Sequence, residues 1–217
     1  MSLRKVWWVS DPLCSWCWGM AGEFEQVRTA LHGRVQFDLL LGGINVQAVT
    51  PLSGQAQEGL LPRFQDIWQR VAHVTGQTFA MRFPAEATFV YNSLPQCRAV
   101  AALRQQLGRA PFAYLHALQW AFFVEARDTS SLLVLAELAA CEGVEPEDFL
   151  AALNDPQLDA ALALEMQIAR GYGTTALPSV LVETEHGRSL LAGGYADAPT
   201  LQQLIEDWLN RHPSVIN

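Results

Sequence analysis

The stretch that decides the fold is Asp11-Pro12-Leu13-Cys14-Ser15-Trp16-Cys17, which lies between two apolar patterns of different period. Residues 5–10 are a short run rich in Val and Trp, whose length and β-branched content predict a buried strand. Beyond the cysteines, apolar residues recur at helical spacing on one face: Met20, Phe24, Val27 and Leu31. A Cys-x-x-Cys therefore stands where a strand gives way to a helix.

Working outward, a second buried strand is predicted over residues 35–41, so that residues 5–43 form a β-α-β unit. The β pattern returns near the end of the chain, and an amphipathic helix follows it. There the predicted segments are a strand over 179–182, a turn at His186-Gly187, a strand over 188–192 and a helix that carries Leu201, Leu204, Ile205, Trp208 and Leu209.

Between these two parts the patterns are helical, and each is bounded by Pro, Gly or a capping residue. The predicted helices cover 60–74, 95–107, 112–125, 130–141, 146–153 and 156–170. We predict an α/β fold in which residues 1–53 and 172–217 form one domain and residues 54–171 are an inserted all-helical domain.

Composition excludes several classes of protein. The chain has 217 residues, half of them hydrophobic, which is enough for a large core. No apolar run approaches the roughly 18 residues of a membrane span, and a net charge of −8 disfavours nucleic-acid binding. The short apolar run near the N-terminus does not resemble a signal peptide, so we expect a cytoplasmic protein without a membrane or nucleic-acid partner.

Cys14 and Cys17 have a direct chemical use at the start of a helix. The thiolate is the nucleophilic form of cysteine, and the partial positive charge and free N–H groups of a helix N-terminus favour it. The spacing lets Cys17 reach Cys14 after one helical turn. Cys14 is therefore the candidate nucleophile, and Cys17 is the candidate thiol that resolves a mixed disulfide.

Two other interpretations of this pair remain open. Cys-x-x-Cys is also half of a zinc site, but no second ligand pair is evident, because Cys97 and Cys141 are isolated and the histidines show no ligand spacing. The pair could also be inert core cysteines, which would not explain its place between strand and helix. We assign Cys97 and Cys141 to the core as small hydrophobic residues and expect neither a bound metal nor an organic cofactor.

The chain resembles the DsbA family of thioredoxin-fold proteins, in particular the FrnE-like branch that is related to 2-hydroxychromene-2-carboxylate isomerases and kappa-class glutathione transferases. The matching residues lie at the two ends of the chain and in the predicted insertion. They are Val6-Trp7-Trp8-Val9, 11–19 around the cysteines, Tyr91-Asn92-Ser93 and Gly171-Tyr172-Gly173-Thr174-Thr175-Ala176-Leu177-Pro178-Ser179. The resemblance implies a thioredoxin-like fold with an inserted helical domain.

The resemblance also implies that Pro178 is a cis-proline beside the cysteines, and that Leu177 precedes it where substrate backbone pairs in strand fashion. From the residues alone, an ordinary trans-proline at a strand edge is the favoured interpretation. The chain departs from DsbA at Trp8, where that family has an acid, and at Ser15-Trp16, where it has a histidine. These departures leave the redox potential open.

Other residues carry weaker hypotheses. We expect Trp16 to add an apolar substrate-docking surface, although packing beneath the insertion is an alternative. His116 and Glu125 are candidates for the groove between the domains, and by family analogy Asn45 and Asn92 are candidates for a small-molecule pocket.

The resulting functional hypothesis is a thiol–disulfide oxidoreductase that acts on protein or peptide thiols or disulfides, with glutathione as a candidate partner. A rival is a glutathione-dependent isomerase or transferase for an aromatic small molecule, although members with those activities generally have Ser at the position of Cys14. A third hypothesis is a non-enzymatic peptide-binding module.

Overall fold

The fold is built on a mixed sheet of four strands in the computed structural model, which describes residues 4–52, 54–86, 88–172, 176–185 and 187–212. The strands are β1 (Arg4–Ser10), β2 (Val35–Leu41), β3 (Ser179–Thr184) and β4 (Gly187–Gly193), in the spatial order β2-β1-β3-β4. β1 is parallel to β2 and antiparallel to β3, which is antiparallel to β4. The predicted α/β class is confirmed, while His186 of the predicted turn lies outside the described residues.

Helix α1 (Ser15–Ala30) connects the two parallel strands, as the pattern predicts. Between β2 and β3 the described residues form only helices as regular elements, and one more helix follows β4. They are α2 (Gly54–Thr75), α3 (Leu94–Leu107), α4 (Phe112–Phe123), α5 (Leu132–Ala140), α6 (Pro146–Leu153), α7 (Leu158–Gly171) and, after the sheet, α8 (Ala198–Arg211). The division of the chain at residues 53/54 and 171/172 stays a prediction.

The sheet is covered on both faces, because adjacent residues of a strand point in opposite directions. Trp8 joins the large core that runs from β1 through α1 into the inserted helices, and its ring stacks on Phe24 with a centroid distance of 4.5 Å. Trp7 lies in a second cluster on the other face, together with Ala169 of α7. The insertion therefore does not stand apart from the sheet but packs against it.

The assignment of Cys141 to the core is wrong, whereas that of Cys97 is correct. Cys97 is fully buried in α3, but Cys141 is exposed. Leu135 and Ala139 are the residues of helix α5 that face the core. Cys141 follows Ala139 by two positions, which rotates it by about 200° around the helix axis and so directs it toward solvent. The predicted helix also extended one residue too far, since α5 ends at Ala140.

Candidate active site

The two cysteines lie in the first turn of α1, where the sequence places them. Cys14 is the N-cap residue, with extended backbone angles, and its Sγ accepts a hydrogen bond of 3.3 Å from the backbone N–H of Cys17. The carbonyl of Cys14 accepts from the N–H of Trp18 at 3.0 Å and so begins the helical ladder. The sulfur of Cys14 is thus held against the free N–H groups of the helix terminus.

Accessibility distinguishes the two thiols, which are not joined in a disulfide. Cys14 has an exposed fraction of 7%, whereas Cys17 has none. Burial raises the pKa of the Cys17 thiol well above its usual range, and the adjacent Cys14 raises it further. Cys17 is therefore kept as a thiol beneath Cys14, which is the order that a nucleophile and a resolving cysteine require.

Asp11 is buried in the loop between β1 and α1, and it organises that loop. One carboxylate oxygen accepts from the N–H of Leu13 at 2.8 Å. The other accepts from the N–H of Ile44 at 3.0 Å and from the hydroxyl of Ser93 at 2.7 Å. Burial raises the pKa of Asp11, and these hydrogen bonds offset that rise in part. One side chain thereby joins the active-site loop, the segment after β2 and the insertion.

The segment Tyr91-Asn92-Ser93 completes this arrangement from the side of the insertion. The hydroxyl of Tyr91 donates to the carbonyl of Leu13 at 2.9 Å. Asn92 donates to the carbonyls of Val46 and Ala48, so its amide anchors the loop after β2. The hypothesis that Asn92 lines a small-molecule pocket gains no support from these contacts, because its amide nitrogen is engaged with the backbone.

The register of β1 and β3 brings Pro178 to the end of the sheet at which the two cysteines lie. Val9 pairs with Ser179 in the antiparallel ladder of β1 and β3, so Pro178 lies opposite Ser10, directly before the active-site loop. The Leu177–Pro178 peptide is cis, as the resemblance implies. The matched residues Gly173-Thr174-Thr175 lie outside the described part of the chain.

Three further contacts define the surface around the cysteines. Trp16 is partly buried, and its ring lies 6.0 Å from that of Tyr195. Tyr195 follows Gly194, whose N–H donates to the carbonyl of Pro178 at 2.8 Å. Leu177 is also partly exposed, and its side chain packs directly on Gly42. A Cβ atom added to Gly42 would lie only 2.5 Å from Cδ1 of Leu177, so the contact requires glycine at position 42. The docking roles of Trp16, Leu177 and Pro178 stay predictions; Trp16 and Leu177 are partly exposed, whereas Pro178 is buried.

Sequence reasoning missed Asp11, Ser93, Tyr91 and Tyr195 as members of this site. Asp11 and Ser93 both lie in segments that carry the family resemblance, but they are 82 residues apart along the chain. No local pattern reports such a pairing. Tyr195 follows a Gly-Gly turn, which carries no signal of proximity to Trp16.

The structure also bears on metals and membranes. Within the described ranges, no three His, Cys, Asp or Glu side chains are grouped so that they could hold a metal ion. None of the helices in those ranges is both long and apolar enough to cross a membrane.

A cysteine pair at the first turn of a helix, beside a sheet with a cis-proline, defines the thioredoxin-fold class. The profile of the DSBA-like thioredoxin domain matches residues 5–206, so the chain belongs to this family. The resemblance seen in the sequence, and the thioredoxin-like fold that it implied, are thereby confirmed.

Two solved structures are similar over nearly the whole chain. A protein from Nitrosomonas europaea, provisionally assigned as a protein disulfide isomerase, is 28% identical with a TM-score of 0.84, covering 97% of this chain and 100% of that one. The cytosolic disulfide reductase DsbM from Pseudomonas aeruginosa is 25% identical with a TM-score of 0.74, covering 95% and 99%. A second DsbM structure contains glutathione. These likenesses support a thiol–disulfide oxidoreductase at the level of the family.

Two more distant relatives mark the breadth of the family. The ClpXP adapter protein SpxH of Shouchella clausii is 22% identical over 213 residues, which are 96% of this chain and 68% of that protein. A 2-hydroxychromene-2-carboxylate isomerase is 15% identical with a TM-score of 0.59, covering 95% of each chain, and shares the fold. The branch named from the sequence is consistent with this neighbour.

Proposed function

We propose that this chain is a cytoplasmic thiol–disulfide oxidoreductase that reduces disulfides of proteins or peptides, with Cys14 as the nucleophile and Cys17 as the resolving thiol. The single observation that carries the proposal is the position of Cys14. It is the N-cap of α1, its sulfur accepts the Cys17 N–H at 3.3 Å, and it alone of the pair is accessible. The similarity to a cytosolic disulfide reductase supports the reducing direction and the compartment.

The chemistry proceeds in two exchanges. The Cys14 thiolate attacks one sulfur of the substrate disulfide, forms a mixed disulfide and releases the other substrate sulfur as a thiolate. Cys17 then gives up its proton and attacks the sulfur of Cys14, which releases the second substrate thiol and leaves a Cys14–Cys17 disulfide. Two electrons pass to the substrate, and two equivalents of a partner thiol restore the dithiol. The partner that we propose is glutathione, which the similar DsbM structure contains.

The docking surface follows from the same geometry. Trp16 and Tyr195 are partly exposed with their rings 6.0 Å apart, and Leu177 is partly exposed on the β3 side. Pro178 is buried, and its carbonyl accepts the N–H of Gly194 beside Tyr195. We propose that an extended substrate segment lies on this surface, because partly exposed apolar side chains bind a polypeptide without demanding a particular sequence. No separate cofactor enters the mechanism, since the cysteine pair carries the electrons.

The test is reduction of insulin with glutathione as electron donor. Cys14→Ser should abolish turnover, and Cys17→Ser should accumulate a mixed disulfide with substrate that mass spectrometry detects. Cys141→Ser is the matched control, because Cys141 is exposed and lies outside the pair, and it should retain full activity. Full activity of Cys14→Ser would remove the proposal.

The same variants distinguish the proposed oxidoreductase from the rival hypothesis of a glutathione-dependent isomerase or transferase. That mechanism needs glutathione in the site but no resolving thiol, so Cys17→Ser would keep its full activity. A non-enzymatic module would bind peptide equally well in the wild type and in Cys14→Ser, whether oxidised or reduced. Loss of turnover in both single variants supports the dithiol mechanism alone.

A further inference from the structure

Helices α1 and α4 border a groove of about 740 Å³ that is partly open to solvent. Its lining is mostly apolar and includes Trp8, Phe24, Phe112 and Ala113. The volume lies within the range of pockets that hold small molecules, roughly 300–1,000 Å³. Neither cysteine of the thiol pair lines this groove, nor do Trp16, Leu177 and Pro178, so it is separate from the proposed docking surface.

Three polar atoms of lining residues are buried and have no hydrogen-bond partner among the described residues: Trp8 Nε1, Arg28 Nε and Gln119 Oε1. Trp8 is 3% exposed and Gln119 is fully buried. A buried polar atom without a partner costs about 1–3 kcal/mol, and native proteins retain few of them. All three atoms belong to residues that line this one groove.

The charges around the groove cancel. The guanidinium of Arg28 is paired with the carboxylate of Glu25, one helical turn away on α1. Partial desolvation lowers the pKa of His116, which favours its neutral imidazole. A charged ligand would therefore lose its hydration without meeting an uncompensated opposite charge. The lining favours an uncharged occupant.

Aromatic surfaces determine its shape. Trp8 and Phe24 are stacked at a centroid distance of 4.5 Å, and the guanidinium of Arg28 lies 4.1 Å from the centre of the Phe112 ring. Flat rings pack well against such faces. We propose that this groove binds an uncharged aromatic small molecule of one to three rings that carries an N–H, O–H or carbonyl group for the unpartnered atoms of Trp8 and Gln119.

The probe for this proposal is N-phenyl-1-naphthylamine, which is uncharged, aromatic and bears one N–H. Its fluorescence rises in apolar surroundings, so a titration of the reduced protein reports binding directly. We expect saturable binding of one molecule per chain, with a dissociation constant on the order of 100 µM or tighter for a ligand of this size. Absence of saturable binding would overturn the proposal.

Two variants locate the probe. Ala113 is an exposed residue of α4 that lines the groove, so Ala113→Trp fills the space without disturbing the core and should weaken binding by about tenfold or more. Ala161→Trp is the matched control, since Ala161 is equally an exposed helical alanine but lies on α7, away from the groove. It should leave the affinity unchanged.

A third variant tests the hydrogen bonding. Gln119→Met keeps the length of the side chain and removes Oε1, so it should weaken the probe by about two- to tenfold. Trp16→Ala, at the proposed docking surface, should have no effect. Equal affinity in the wild type and Ala113→Trp, or loss of binding in Trp16→Ala, would place the probe elsewhere and overturn the proposal. Insulin reduction is measured separately, so failure here leaves the proposed function standing.

Discussion

The two stretches of polypeptide that meet at helix α1 differ in how their buried polar groups are satisfied. In the loop before the helix, the carboxylate of Asp11 accepts four hydrogen bonds, one of them from the thiol of Cys97 at 3.7 Å, and Ser93 and Tyr91 both have partners. Beside the middle of the helix, Trp8 and Gln119 each retain a buried polar atom without one. A satisfied network fixes a geometry, whereas unpartnered buried polar atoms leave hydrogen-bonding capacity unused. The first region is thus suited to position thiols and the second to bind.

Among single substitutions, removal of the Asp11 carboxylate should destabilise the loop before α1 the most. Asp11→Ala leaves the N–H of Leu13 buried without an acceptor, and it leaves the N–H of Ile44 and the hydroxyl of Ser93 with only the Ser93 oxygen and the Ile44 carbonyl as acceptors. We expect a loss of about 2–4 kcal/mol in the free energy of unfolding, measured in urea. The control is Asp66→Ala, because Asp66 is exposed on α2, and it should change stability by less than about 0.5 kcal/mol. Equal effects of the two changes would contradict the role given to Asp11.

The pH dependence of stability sharpens the same point. Burial raises the pKa of Asp11 above its ordinary 3.8, so the folded protein binds this proton more tightly than the unfolded chain. Stability contributed by the protonated form is present below pH 3.8 and is lost as the pH rises through the higher folded-state pKa. Relative to Asp11→Asn, the wild type should lose stability over this window.

The neighbouring groups do not interfere in that measurement. The pKa values of Cys17, Tyr91 and Cys97 are all raised well above their usual ranges, so none of these groups ionises between pH 4 and 7. Urea unfolding of both proteins across this range provides the comparison. A difference that does not vary with pH would show that the Asp11 carboxyl titrates alike in the folded and unfolded states.

Tyr91→Phe removes one hydrogen bond to the active-site loop and keeps the aromatic ring in place. The change removes one hydrogen bond of 2.9 Å to the carbonyl of Leu13 and should cost about 1 kcal/mol of stability. Tyr114→Phe is a matched control, since its hydroxyl donates to the carbonyl of Leu135 at 3.0 Å, away from the thiols. Both variants should lose similar stability, but only Tyr91→Phe should slow insulin reduction. Equal rates in the two would show that Tyr91 supports the fold alone.

The same contrast explains what the sequence could predict. The position of Cys14 at the start of α1 follows from local features, namely an apolar strand, a proline and a helical period. The partners of Asp11 do not, because Ser93 belongs to a distant segment that only tertiary folding brings near. Cys141 was misplaced for a related reason, since the apolar run before it did not show which helix face the core would cover. The period of the apolar residues predicts whether a segment is a helix or a strand, but it does not predict which distant segments contact each other.

The smallest expected effect is the most discriminating, because it compares two buried glutamines in the two regions. Gln96 and Gln119 are both fully buried. The amide of Gln96 is satisfied when its nitrogen donates to the carbonyls of Asn92 and Ser93 and its oxygen accepts from Thr129. Gln119 donates to the carbonyl of Asp11 at 3.3 Å, but its oxygen has no partner among the described residues.

Replacement by methionine conserves length and removes the amide in each case. Gln119→Met removes one long hydrogen bond, but it also removes a buried oxygen that has no partner among the described residues. The carbonyl of Asp11 is not left without a donor, because it still accepts from the N–H of Cys14 at 3.2 Å. The stability of this variant should therefore stay within about 0.5 kcal/mol of the wild type. Gln96→Met removes the amide partner of the Asn92 carbonyl and of the Thr129 hydroxyl, whereas the Ser93 carbonyl still accepts from the N–H of Cys97 at 2.9 Å. This variant should lose about 2 kcal/mol. Urea unfolding measures both, and a Gln119→Met loss as large as that of Gln96→Met would show that the groove is already satisfied and needs no ligand.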